Sequence, residues 1–163
     1  MATKDDHERE VFIQFLDCAD LEIDVSSVHS RQPPEPDILC TVAGNPLYFE
    51  LGRLLNNEMQ RLKLEMARRA PAQVSGSEYD VKLPEREILR QKIDKTYATN
   101  GIPLELLLYY DNTSWLVGDV PAVADFAEHA RYVMQPLMDK QTQFRRVWVF
   151  ERHRPSLLWK YPG

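Results

Sequence analysis

The stretch PDILCTVAGNPLYFELG, residues 36 to 52, carries two carboxylates whose spacing suits chemistry. Asp37 starts one apolar run and Glu50 nearly ends the next, with a Gly44-Asn45 turn signal between them. A two-residue turn at Gly44-Asn45 pairs Ala43 with Pro46, Leu39 with Glu50 and Asp37 with Gly52. Strand side chains alternate between faces, so Asp37, Leu39 and Glu50 share one face. The two acids then become diagonal neighbours, about 7–8 Å apart at Cα. Ile38, Cys40, Val42, Leu47, Phe49 and Leu51 take the opposite, wholly apolar face, which must be core. Nearby carboxylates repel, so either one keeps its proton or a cation joins them. A hard cation such as Mg²⁺ or Mn²⁺ takes oxygen ligands and keeps several waters. Such an ion can orient a water and stabilise charge on a phosphoryl group. The plainer alternative is that Asp37 only begins a strand and Glu50 pairs with an arginine or lies at an exposed strand end.

The elements that must position these acids follow from periodicity. Residues 5–19 predict an amphipathic helix, with Val11, Phe12, Phe15, Leu16 and Ala19 at helical spacing and acids in the first turn. Residues 21–25 alternate as a half-buried strand, and HSRQPPEP reads as a polar connection to hairpin strands over 37–42 and 47–51. From Leu51 to about Arg69 the period is helical, and APAQVSGSEYDVK is loop-like. Pro84 opens another helix, running to about Ala98, with Glu85 and Glu87 in its first turn. PLELLLYY reads as a buried strand. A helix over about 120–140 is interrupted at Pro136, and the C-terminal segment from Phe144 is a hairpin turning at RHRPS. Helix, three strands, two helices, strand, helix and two strands make one mixed α/β domain over residues 1–163, with no internal repeat and no second hydrophobic core.

Composition bounds the function. The 163 residues are 44% hydrophobic and 28% charged, ordinary for a soluble globular chain. No apolar run is long enough to span a bilayer, and the charged N-terminus lacks a signal peptide, so the expected location is cytoplasmic, away from membranes. Cys18 and Cys40 belong to no C-x-x-C motif and read as buried thiols in a reducing compartment. A net charge of −5 gives no general attraction to nucleic acid. A local basic patch is needed, and Arg145, Arg146, Arg152 and Arg154, interleaved with Trp148, Trp159 and Tyr161, are the candidates for phosphate contact and stacking. The ordinary reading of the same pattern is a strand with a buried aromatic face and a solvated basic one. The four histidines show no zinc spacing, and no dinucleotide-binding or P-loop glycine motif is present.

Pro36-Asp37 followed by Glu50, on successive strands behind a helix, resembles the signature of the PD-(D/E)xK, or restriction-endonuclease-like, nuclease superfamily. That core is a helix, a three-strand meander, a helix and a further strand. An aspartate, often after proline, starts the second strand, and an acid, any residue and a lysine follow on the third. The resemblance covers roughly residues 8–110, with the C-terminal helix and hairpin as an elaboration. It implies metal-dependent cleavage of nucleic acid phosphodiesters, with Asp37 and Glu50 binding Mg²⁺ or Mn²⁺. It also implies an assisting glutamate in the first helix, Glu8 or Glu10, of which Glu10 is taken as the ligand. The lysine position falls at Gly52, so the third strand supplies no amine. Some members of the superfamily move this lysine to a neighbouring helix, and here ILRQKIDKTY places Lys92 within the stripe of Ile88, Leu89, Ile93 and Tyr97. A lysine in a packed face needs to snorkel or to meet a carboxylate; Lys95 is the second candidate. Two readings follow. One is a metal-dependent nuclease with Asp37, Glu50 and Lys92 as catalytic residues. The other is a non-catalytic protein that binds a nucleic acid or protein partner, on the same fold or, where the motif is accidental, as an unrelated α/β binding module.

Overall fold

Among the described residues six strands stand side by side in chain order: β1 (His29–Ser30), β2 (Ile38–Val42), β3 (Asn45–Leu54), β4 (Leu104–Tyr110), β5 (Arg146–Glu151) and β6 (Ser156–Tyr161). The structure is a computed structural model and describes residues 3–54, 84–111, 123–152 and 155–162. β1, β2 and β3 are antiparallel neighbours, β3–β4 and β4–β5 are parallel, and β5–β6 is antiparallel. Parallel neighbours need crossovers. Helix α2 (Pro84–Asp94) lies in the first, and α3 (Val123–Val133) and α4 (Gln135–Met138) lie in the second. Helix α1 (Lys4–Leu16) precedes the sheet and starts on a Thr3–Asp6 capping box.

Helices cover both faces of the sheet, which explains why β4 is buried at every position. Val11, Phe12 and Phe15 of α1 pack on Ile38, Phe49 and Trp148 on one face. Leu89 of α2 and Phe126 and Ala130 of α3 pack on Leu106, Leu108 and Val149 on the other. The single core expected from the sequence is thus divided by the sheet into two layers. Among the described residues no helix is long and apolar enough to cross a membrane. Both cysteines are free, and burial, with Glu105's charge behind it, pushes the Cys40 thiol up to about 12.

Several local expectations are corrected. The hairpin turns at Ala43-Gly44, one residue before the Gly44-Asn45 signal, and pairs Val42 with Asn45 and Ile38 with Phe49. Both turn residues have positive φ, 48° and 83°, as a tight two-residue hairpin turn of this hand requires. The resulting register differs by two residues from the expected one, so every side chain keeps its face. Residues 21–25 do not form a strand. Asp24 accepts from Ser26 N–H at 3.0 Å and caps a 3₁₀ turn over Val25–Ser27, a local bond that competes with a sheet ladder. Only the Ile23–Val42 bridge remains there, and the first strand is His29–Ser30, inside the expected connection. Leu51–Leu54 continue β3 rather than opening a helix; the remainder of that helix and the loop after it lie outside the described residues. Helix α2 stops at Asp94, short of Ala98. The interruption expected at Pro136 falls at Met134, because Pro136 is tolerated in the first turn of α4.

Candidate active site

The site grows from an unequal hairpin. Pairing of β2 with β3 ends at Ile38–Phe49, whereas β3 runs on to Leu54. Asp37 occupies the next step and satisfies the uncovered edge. Its Oδ2 accepts from Leu51 N–H at 2.9 Å, and its own N–H donates to Glu50 Oε1 at 3.2 Å. The shifted register therefore sets Asp37 straight across from Glu50 instead of diagonally.

Glu50 shares its face with Tyr48 and Leu54, towards α2, and is only 2% exposed. Its Oε2 receives the Lys92 ammonium at 2.7 Å and the Tyr97 hydroxyl at 3.1 Å. Burial first, and then Asp37's charge, raise the Glu50 carboxyl above its ordinary range, while the charge and hydrogen bond of Lys92 work against both. Burial and Glu50's charge push the Tyr97 hydroxyl far up, so it stays a donor.

Gly52 explains how Lys92 arrives. A Cβ at this position would lie 2.6 Å from Leu108 Cδ2, 3.1 Å from Ile88 Cγ2 and 3.4 Å from Lys92 Cε. A side chain at 52 and the docked α2 compete for one space. The position where the motif expects a lysine is empty, and the stem of Lys92 crosses beside it. Lys95 does not reach the acids; its amine lies over the Tyr97 ring, 5.3 Å from the centroid.

From the other side of the sheet, α1 contributes Glu8 rather than the expected Glu10. Glu8 is 8% exposed, and its carboxyl is raised to about 7 by burial first and then by the charge of Asp37. Lys4 and Lys92 act in the opposite direction, and Glu50 adds to the rise. Glu10 sits about 200° further round the helix, with its side chain 61% exposed and 3.3 Å from Arg152. The signal was present in the sequence: Glu8, Val11, Phe12 and Phe15 follow i, i+3, i+4, i+7 spacing, so the core face of α1 carries Glu8. A cavity of about 370 Å³ opens between α1, β3 and α2. Lys4, His7, Glu8, Arg53 and Lys92 are among the side chains that line it.

The metal implied by the resemblance can be tested against these donors. Among the described residues no three His, Cys, Asp or Glu side chains form a cluster able to hold an ion. Mg²⁺ commonly needs only one or two carboxylates, the remaining positions being water. Asp37 and Glu8 offer such oxygens, and a cation would offset the burial and the Asp37 charge that raise the Glu8 carboxyl. The donor set fits with these two as ligands. Glu50 is already engaged by three donors.

The candidate nucleic-acid arginines are spread over two other clusters. Arg145 binds Glu105 at 2.6 and 2.9 Å, and Arg146 lies over the Trp148 ring at 5.6 Å with Glu105 at 3.9 Å. Arg152 pairs with Asp111 at 2.6 Å and with Glu10, and Arg154 lies outside the described residues. Each described arginine of the set thus has an acid of the fold beside it. The pairing of the buried acids that organise these and other clusters, Glu85 and Glu105, carries no mark in the sequence, because their partners lie 25 to 44 positions away. Comparison with family models, with curated proteins and with solved structures finds no match.

Proposed function

We propose that this chain is a metal-dependent phosphodiester hydrolase acting on nucleic acid, built on a restriction-endonuclease-like core. The observation that carries the reading is the 2.7 Å contact of the Lys92 amine with Glu50 beside the vacant Gly52. It offers an amine next to the acid pair from a helix when the strand has none. The order α1, β1–β3, α2, β4 supports the same core, with α3, α4, β5 and β6 as an addition.

The chain's own groups divide the work. Asp37 and Glu8 would hold Mg²⁺ or Mn²⁺, which when bound supplies charge for a phosphoryl oxygen and acidifies a water. Glu50 accepts from Lys92 and Tyr97, which fixes the ammonium at the cavity wall, where it stabilises negative charge developing on a phosphate. Lys4 and Arg53, on the same walls, draw an anionic substrate in.

One observation favours a second reading, in which the fold is kept for binding a nucleic acid or protein. Both oxygens of Glu50 already have donors, which closes the pair without an ion. Incubation with single- and double-stranded DNA and RNA, with Mg²⁺, Mn²⁺ or a chelator, decides between them. Cleavage that needs the ion and is lost in Asp37→Asn and Lys92→Met is the expected result. Intact substrate under every condition, with no heat of ion binding in calorimetry, would replace the first reading by the second.

A further inference from the structure

Helix α2 turns Glu85, Ile88, Leu89 and Lys92 towards the sheet, at i, i+3, i+4 and i+7. Two apolar residues at the centre of this stripe are flanked by two charged ones. Lys92 has its role at Glu50, but Glu85 is unexplained. It is 0% exposed, where packing alone would be served better by a leucine.

Its bonds lead to elements distant in the chain. Glu85 Oε1 accepts from the Tyr110 hydroxyl of β4 at 2.7 Å and lies 3.3 Å from His129 Nε2 of α3. Burial opposes the charge, yet the imidazole of His129 at 3.3 Å and the Tyr110 hydroxyl outweigh it and hold the carboxyl below its ordinary range. At the far end of α2, Gln143 Nε2 donates to the carbonyls of Lys92 and Ile93, each at 3.3 Å. The helix is therefore tied at both ends by polar side chains. Apolar contact by Ile88 and Leu89 is non-directional and tolerates a slide or a roll. The 2.7 Å hydrogen bond from the Tyr110 hydroxyl does not.

We propose that Glu85, acting through Tyr110 and His129, is a positioning residue that sets the axial and rotational place of α2 so that the Lys92 ammonium meets Glu50. Two helical turns, about 10.5 Å, separate Glu85 from Lys92, so a rigid helix transmits the placement. Release of Glu85 leaves α2 held by its apolar contacts and by the longer Gln143 bonds at its other end, and the amine shifts against the carboxylate. The consequence for cleavage rests on the function proposed above; the coupling of Glu85 to Lys92 does not.

The test reads the ammonium itself in nitrogen-15-labelled protein. An amine held by a buried carboxylate exchanges slowly with water and gives a separate side-chain signal, assigned by its loss in Lys92→Met. Glu85→Gln keeps the volume and removes the charge, and Tyr110→Phe removes one oxygen. Both are expected to broaden or shift the Lys92 signal while the backbone amides of α1, β2 and β3 stay in place. Glu105→Gln, which removes a buried carboxylate from a different cluster, is expected to leave it unmoved. If Glu85→Gln does not fold, Tyr110→Phe decides alone. An unchanged Lys92 signal in the folded variants, an equal change in Glu105→Gln, or no slow-exchanging signal in the native protein would each overturn the proposal. Where the native protein cleaves, Glu85→Gln lowers kcat by roughly 10²-fold with KM little changed. A native protein that does not cleave removes the proposed function and leaves the ammonium test standing.

Discussion

Replacing Lys92 by Met removes the ammonium from Glu50 while keeping most of the stem that crosses Gly52. Glu50 keeps its Tyr97 and Asp37 donors but loses its counter-charge. Deleting one partner of a buried pair costs about 3–5 kcal/mol when the other charge stays buried. The Lys92 side chain is 22% exposed, and solvent screening draws this to about 2–3 kcal/mol. Glu50 can escape the penalty by binding a proton, which burial and Asp37 already favour. The folded variant then holds a proton that the unfolded chain releases above about pH 4.3, so folded stability falls as pH rises from there. Glu8, on which Lys92 acts in the same direction, adds to the slope. The expected loss relative to the native protein is about 2–3 kcal/mol at pH 8 and under about 1 kcal/mol at pH 5. Urea unfolding followed by tryptophan fluorescence at both pH values measures it, with unchanged m values as the check on two-state behaviour. Adding Glu50→Gln should restore most of the loss at pH 8, giving a coupling above about 1 kcal/mol in the double-mutant cycle. A loss equal at the two pH values, or greater at pH 5, would refute the reasoning, because Glu50 would not be the group that senses Lys92.

Gly52→Ala puts a Cβ 2.6 Å from Leu108 Cδ2 and 3.1 Å from Ile88 Cγ2, so a loss of about 1–3 kcal/mol is expected in thermal melts. Gly52→Lys should fail to add an amine to the site without displacing α2, and any native cleavage should fall. Glu8, with a folded pKa of about 7, contributes stability that is full below about pH 4.5 and lost as pH rises to 7. The native protein should therefore lose about 1–2 kcal/mol relative to Glu8→Gln between pH 5 and pH 8, read from unfolding midpoints. Binding of Mg²⁺ or Mn²⁺ should expel the Glu8 proton at pH 6.5, seen as a heat that changes with the ionisation enthalpy of the buffer. Asp37→Ala should abolish that heat, and Glu10→Ala should leave it intact.

The local periods of this chain were legible without any structure. Alternation put Ile38, Cys40, Leu47 and Phe49 on the core face, and this survived a turn displaced by one residue because the register moved by two. The stripe of α2 placed Lys92 among apolar residues, and the uninterrupted run of β4 marked a strand covered on both sides. Even the choice of Glu8 over Glu10 follows from the spacing of Val11, Phe12 and Phe15, once the helix face is followed back one turn. Tertiary structure alone decided what the buried charges meet. Glu85 reads as an ordinary first-turn acid until Tyr110 and His129 close over it, and Arg145 reads as free until Glu105 is beside it. Gly52 is an omission in the sequence and becomes a space for Lys92 only when α2 docks on β3. Periodicity is a short-range property that each segment carries by itself. Charge pairing and steric fit depend on ångström distances between segments far apart in the chain, and those exist only after the layers have packed.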